Sequence, residues 1–143
     1  MECQTKLQLL KEEIYDKATR SLLLKQNKDV VIFLDRGLMD VKAYMSHQEF
    51  DEMLCHLELT PNMILKRYNA VFHLMSAAIE APDFYTNSNN KIRKETLDEA
   101  VVLDKKTHHA WIDHENMMVI KGCKGMEDKI HSLIMHIERI LNR

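Results

Sequence analysis

Glycine and proline are scarce in this sequence, three and two among 143 residues. So little glycine leaves few loops whose backbone can wrap closely around a phosphate. With 45% hydrophobic and 29% charged residues, it also places the chain among helix-rich globular proteins and excludes disordered and fibrous classes. No run approaches the roughly 18 apolar residues of a membrane-spanning helix. The N-terminus, with Glu2, Lys6, Lys11, Glu12 and Glu13, is no signal peptide. A dominant charge is missing as well: 20 Lys and Arg against 22 Asp and Glu leave a net charge of −2. That excludes a field strong enough to draw nucleic acid or an anionic membrane to the whole surface. Cysteine is limited to Cys3, Cys55 and Cys123, odd in number and without CxxC spacing, which suits unpaired thiols in a reducing compartment. These absences predict a cytoplasmic protein with no nucleic-acid partner and no transmembrane segment. The length predicts one domain over residues 1–143.

What is present is periodicity. Leu7, Leu10, Ile14, Ala18 and Leu22 recur every three to four residues and predict an amphipathic helix over residues 4–26. Val30 to Leu34 is a continuous β-branched and aromatic run, the pattern of a strand covered on both faces, with Gly37 ending it. Residues 40–59 read as helical, with Ser46 an N-cap to a second segment and Glu49 completing a capping box. Thr60-Pro61 opens a further short helix. "AVFHLM", Ala70 to Met75, predicts a second strand, and residues 82–90 a loop. A long helix carrying Ile92, Leu97, Ala100, Val101, Leu103 and Trp111 follows, then a third strand at Met117 to Ile120. The last helix has a stripe of Met126, Ile130, Leu133, Ile134, Ile137 and Leu141. Short apolar strands alternating with amphipathic helices mean an α/β fold with a parallel sheet. Ligands of such sheets bind at the carboxyl ends of the strands. Asp35 and Arg36 therefore have a functional reading beside the plain one, in which they are charged residues that stop a strand.

Four stretches, "DRGLMDVKAY", "RYNAVFHLMSAA", "DFYTNSNNKIRKETLDEAVVLD" and the "AW-IDH" that leads to "VIKG", occur in an order that resembles the P-loop domain of the TRP-like translocation-defect protein family, related to the kinase domain of bacterial NadR. The resemblance implies a three-layer P-loop NTPase or kinase-like parallel sheet flanked by helices. It implies a nucleotide, GTP or ATP, with Mg²⁺, and, from the animal members, phosphoinositide or phosphatidic acid head groups. In that reading Asp35 holds magnesium indirectly, through water, or orients a nucleophile, and Arg36 faces phosphate. Arg67 either faces phosphate or pairs with a nearby acid. Lys91 and Arg93, on the polar lid, approach the phosphates, a task that suits the planar fork of arginine.

The family pattern is incomplete here. GxxxxGK[ST], whose backbone N–H groups, lysine and hydroxyl hold phosphates and Mg²⁺, occurs nowhere in the sequence. The chain resembles the family domain N-terminally truncated by its first strand, loop and helix, with no lipid-binding region after Arg143. A sheet missing its inner strand exposes edges, which makes self-association an expectation. Ile79-Glu80-Ala81 and Lys121-Gly122 also stand where the family tends to have Asn-Gly and Asp-Asn. The expected function is thus a regulatory nucleotide-binding module without independent catalysis. The alternatives are a phospholipid- or protein-binding module, or a fragment of a P-loop small-molecule kinase whose loop lies upstream.

Other motifs have plainer readings. "KGCKG" resembles a phosphate loop before a helix, but has the wrong spacing and no Lys-Ser/Thr pair. His108, His109, Asp113, His114 and Cys123 lack the paired spacings of structural zinc and read as surface histidines. Cys55 and His56 are adjacent and do not face each other on a helix. Trp111 and the ten methionines read as core filling.

Overall fold

The computed structural model describes residues 2–26, 30–84, 96–122 and 125–142. They form two compact units, Met1–Ile64 and Leu65–Arg143.

The first unit holds helix α1 (Glu2–Gln26), a 3-10 helix (Leu38–Tyr44), α2 (His47–His56) and the start of α3 (Pro61–Leu65). Its buried apolar residues are Leu38, Met39, Ala43, Phe50, Met53, Leu54 and Ile64. The long helical span expected from residue 40 is broken at Met45 and Ser46, where the capping box starts a new helix. Ser46 Oγ accepts the Glu49 N–H at 3.3 Å, and Glu49 Oε2 accepts the Ser46 N–H at 2.8 Å. Hydrogen bonds from the Ser46 backbone and hydroxyl hold the Glu49 carboxyl below its ordinary pKa of 4.5. A depressed carboxylate contributes stability above its unfolded pKa and loses it as pH falls through the folded one. Ser46→Ala is expected to cost about 1 kcal/mol at neutral pH. In urea melts its deficit should narrow as pH drops below that of the free carboxyl; an unchanged deficit would count against the box.

Two expectations fail in this unit. The helix α1 forms, but Leu7, Leu10, Ile14 and Leu22 are exposed, and the residues it buries are Thr5 and Glu12. The helix docks by polar contacts: Thr5 Oγ1 donates to Met53 Sδ at 3.3 Å, and Gln8 Nε2, which also bonds Glu12 Oε1 of its own helix at 3.0 Å, donates to the Arg36 carbonyl at 3.4 Å. The first predicted strand is also absent. Val30–Leu34 is irregular, and Val31 and Phe33 are 46% and 68% exposed. A strand exists only through its ladder, and no backbone hydrogen bond joins these residues to any neighbour among the described residues. The turn that follows also differs: Arg36 adopts the left-handed conformation at φ 75°, and Gly37 is extended at φ −128°. Asp40 then closes the start of the 3-10 helix by accepting the Gly37 N–H at 2.9 Å.

The second unit contains β1 (Val71–Leu74), α4 (Ala77–Glu80), a 3-10 turn (Pro82–Phe84), α5 (Leu97–Ala110), β2 (Met117–Ile120) and α6 (Met126–Leu141). The strands β1 and β2 are parallel, in the register Val71↔Met117 to Leu74↔Ile120. The predicted parallel sheet is therefore observed in these two runs, but the described sheet has two strands and not three. The helix α5 begins at Thr96, whose capping box with Glu99 matches that of Ser46; Ile92 lies outside the described residues. Ala78, Ala110, Trp111 and Ile120 are buried, and Tyr68 meets Trp111 edge to face with ring centroids 5.0 Å apart. Trp111 thus fills the core, whereas among the methionines Met63, Met126 and Met135 are exposed and Met39 and Met53 are buried. The stripe on α6 is only partly covered, with Ile130 and Ile134 exposed. No helix of the described residues is long and apolar enough to cross a membrane.

Candidate functional site

The carboxyl ends of β1 and β2 carry a connected polar arrangement among the described residues of the second unit. Two backbone N–H groups emerge there, that of Ser76 after β1 and that of Gly122 after β2. A carboxylate holds each one. Asp104, on the inner half of α5, accepts the Ser76 N–H on Oδ1 at 2.8 Å. Its Oδ2 lies 3.2 Å from His73 Nε2, which donates because a carboxylate can only accept. The His73 ring in turn meets the His108 ring edge-on, with centroids 5.2 Å apart. Ser76 Oγ caps α4 by accepting the Ala78 N–H.

The second carboxylate is Glu80, the last residue of α4. Its Oε1 accepts the Gly122 N–H at 2.6 Å, and its Oε2 pairs with Lys129 Nζ at 2.6 Å. Lys129 comes from the first turn of α6 and also donates to the Met75 carbonyl at 2.6 Å. The pair retains only 10% and 13% side-chain exposure for Lys129 and Glu80, so water screens it weakly. Gly122 allows this approach. A Cβ there would stand 2.8 Å from Lys129 Cε and 2.9 Å from the Gly125 carbonyl oxygen. One lysine thus ties β1, α4 and α6 together, and the Glu80 carboxylate adds the end of β2.

The loop "KGCKG" enters this arrangement through Gly122. The N–H of Gly122, its second residue, is bonded to an internal carboxylate, Glu80. Glu80 of Ile79-Glu80-Ala81 and Gly122 of Lys121-Gly122 are thus bonded to each other. None of His73, Glu80, Asp104 and Lys129 was singled out from sequence as a site residue. The available signals were the "LD" at Leu103-Asp104 and a lysine inside the apolar stripe of α6.

The residues expected to form a site fall elsewhere. Asp35 and Arg36 are exposed in the bend before the 3-10 helix of the first unit. Arg67 is exposed in the turn after α3, in the second unit. Lys91 and Arg93 lie outside the described residues. Among the described residues no three His, Cys, Asp or Glu side chains stand close enough to hold a metal ion. His109 and Asp113 are exposed, but His114 is buried and not a surface histidine. Its Nδ1 accepts the Asn116 N–H at 3.1 Å, which leaves Nε2 to donate to the Tyr68 carbonyl at 2.9 Å. Cys55 is exposed on α2.

No curated protein and no solved structure matches the chain. Residues 2–129 match the model of a family described as an AAA domain, of P-loop NTPase type. The match covers both units and both ends of the parallel sheet, and it stops at Lys129 in the first turn of α6. The chain belongs to this AAA domain family, whose fold is that of P-loop nucleotide-binding proteins.

Proposed function

We propose that the chain is a regulatory nucleotide-binding module of the P-loop type, which takes GTP or ATP with Mg²⁺ and does not turn it over on its own. The family match over residues 2–129 is the observation that supports this reading. The lack of turnover follows from chemistry: phosphoryl transfer is catalysed by positioning and charge stabilisation, and these 143 residues contain no GxxxxGK[ST] to supply the phosphate cradle. In this proposal the sheet is part of the three-layer kinase-like arrangement of the translocation-defect type. Asp35 and Arg36 are the right donor types for hydrated Mg²⁺ and for phosphate, and no hydrogen bond or ion pair engages either side chain among the described residues. Arg67, Lys91 and Arg93 are the further phosphate-facing candidates.

Calorimetry with Mg-GTP and Mg-ATP tests the proposal. Weak binding, in the range of tenths of a millimolar to a few millimolar, is expected, about −3.5 to −5 kcal/mol. Asp35→Ala and Arg36→Ala should each weaken it without changing the melting curve, since both side chains are exposed. No heat at millimolar nucleotide overturns the reading, and so does steady hydrolysis by the chain alone. The protein-binding alternative draws support from the exposed apolar residues Leu7, Leu10 and Ile14 on α1 and Ile130 and Ile134 on α6.

A further inference from the structure

The Glu80 carboxylate sits where an external anion would be held. Its two oxygens take one strand-end backbone N–H and one lysine ammonium, which are two of the donor types that proteins use to grip phosphate. The donors converge: Lys129 Nζ and the Gly122 N–H reach the same carboxylate, each at 2.6 Å. Gly122 lacks the Cβ that would push Lys129 away. The lysine is itself buried and anchored to the Met75 carbonyl, so it keeps its position when its acidic partner changes. Glu80, in contrast, ends a helix of a single turn, Ala77–Glu80, whose cap is the Ser76 hydroxyl. Swinging its side chain out breaks the ion pair with Lys129, a cost that an incoming phosphate offsets by taking the same ammonium.

We propose that Lys129 Nζ and the Gly122 N–H form a phosphate-binding site that Glu80 occupies in the free protein, so that the carboxylate acts as a built-in competitor. A phosphate group, carried by a free phosphate compound or by a lipid head, binds there by displacing Glu80 into solvent. The internal anion lowers the apparent affinity by the fraction of molecules in which it is displaced. This does not rest on the nucleotide reading, because Asp35 and Arg36 have no part in it.

The test compares the 143-residue chain with Glu80→Gln and with Glu80→Gln/Lys129→Met, using inorganic pyrophosphate as the probe in calorimetry. The Gln amide oxygen can still accept from Gly122, but it carries no charge to hold the ammonium. Glu80→Gln is expected to bind pyrophosphate about tenfold tighter than the unaltered chain, and the double variant should lose that gain. A role for Glu80 confined to holding the fold predicts the opposite order. A Glu80→Gln chain that melts cooperatively and binds no tighter overturns the proposal. If that variant does not fold, the unaltered chain decides: the Gly122 amide resonance must move as pyrophosphate or phosphatidic acid in short-chain micelles is added, and a resonance that stays put in both overturns the proposal. Vesicles of phosphatidic acid in phosphatidylcholine, against pyrophosphate, distinguish the source. Gain on the vesicles alone assigns a lipid phosphate, and gain on pyrophosphate assigns a free one.

Discussion

Phe50→Ala should destabilise the first unit by about 3 to 5 kcal/mol, the range for emptying a buried aromatic site. Phe50 is the largest fully buried side chain among the described residues, at 2% exposure, and Leu38 and Ile64 are as completely hidden. Lys42 Nζ lies 5.7 Å from the centre of the Phe50 ring, so truncation also removes a cation–π contact worth about 0.5 to 1 kcal/mol. The unit has little with which to offset such a loss. Its longest helix, α1, leaves most of its leucines in solvent and docks through Thr5 and Glu12. Whole domains of this size are stable by only about 5 to 15 kcal/mol, so the variant should be near its unfolding threshold at 25 °C. Urea unfolding followed by far-UV dichroism measures this. A loss under about 1 kcal/mol would mean that Phe50 is not the centre of the core.

Lys129→Met should be nearly as damaging to the second unit, about 3 kcal/mol, for a different reason. The methionine fills much of the volume that the lysine stem occupies, so the loss is electrostatic. Glu80 would keep its charge at a site only 13% exposed, with the Gly122 N–H as its remaining donor. Removing one partner of a buried pair leaves the other charge desolvated, whereas replacing both is often neutral. Adding Glu80→Gln to Lys129→Met should therefore restore most of the stability. The coupling read from the four-member cycle should be strongly favourable. Simple additivity of the two losses would refute the pairing.

Local signals in the sequence were translated faithfully. Both capping boxes, Ser46 with Glu49 and Thr96 with Glu99, are four-residue patterns that need nothing distant. The runs "VFHL" and "MMVI" became strands because each found the other. "VVIFL" is at least as apolar and stayed irregular, since a strand depends on a neighbour that its own residues do not encode. The side of α1 that is buried was equally illegible: periodicity ranks faces by apolarity, and the fold selected the face that could hydrogen-bond to Met53 Sδ and the Arg36 carbonyl. For the candidate site, the rule that ligands gather at strand ends pointed to Asp35 and Arg36, but the run before them forms no strand, and the strand ends that exist lie in the second unit. The rule could not identify the residues, because the bonds that build the site join positions 42 and 54 apart in the chain.

The pairing of β1 with β2 has a kinetic consequence. Val71 meets Met117 directly, so the first contact between the strands must close a loop spanning residues 71–117. For a flexible loop of that length the entropy of closure grows to roughly 3 kcal/mol beyond its constant part, and no single ladder bond repays it. The caps at Ser76 and Thr96 cost far less, and the turns they start can form within a microsecond. The sheet is therefore a late event in folding, assembled after α5 has shortened the path between its strands. On a ribosome it cannot begin until Met117 has emerged, and every shorter nascent chain must carry β1 as a lone apolar segment.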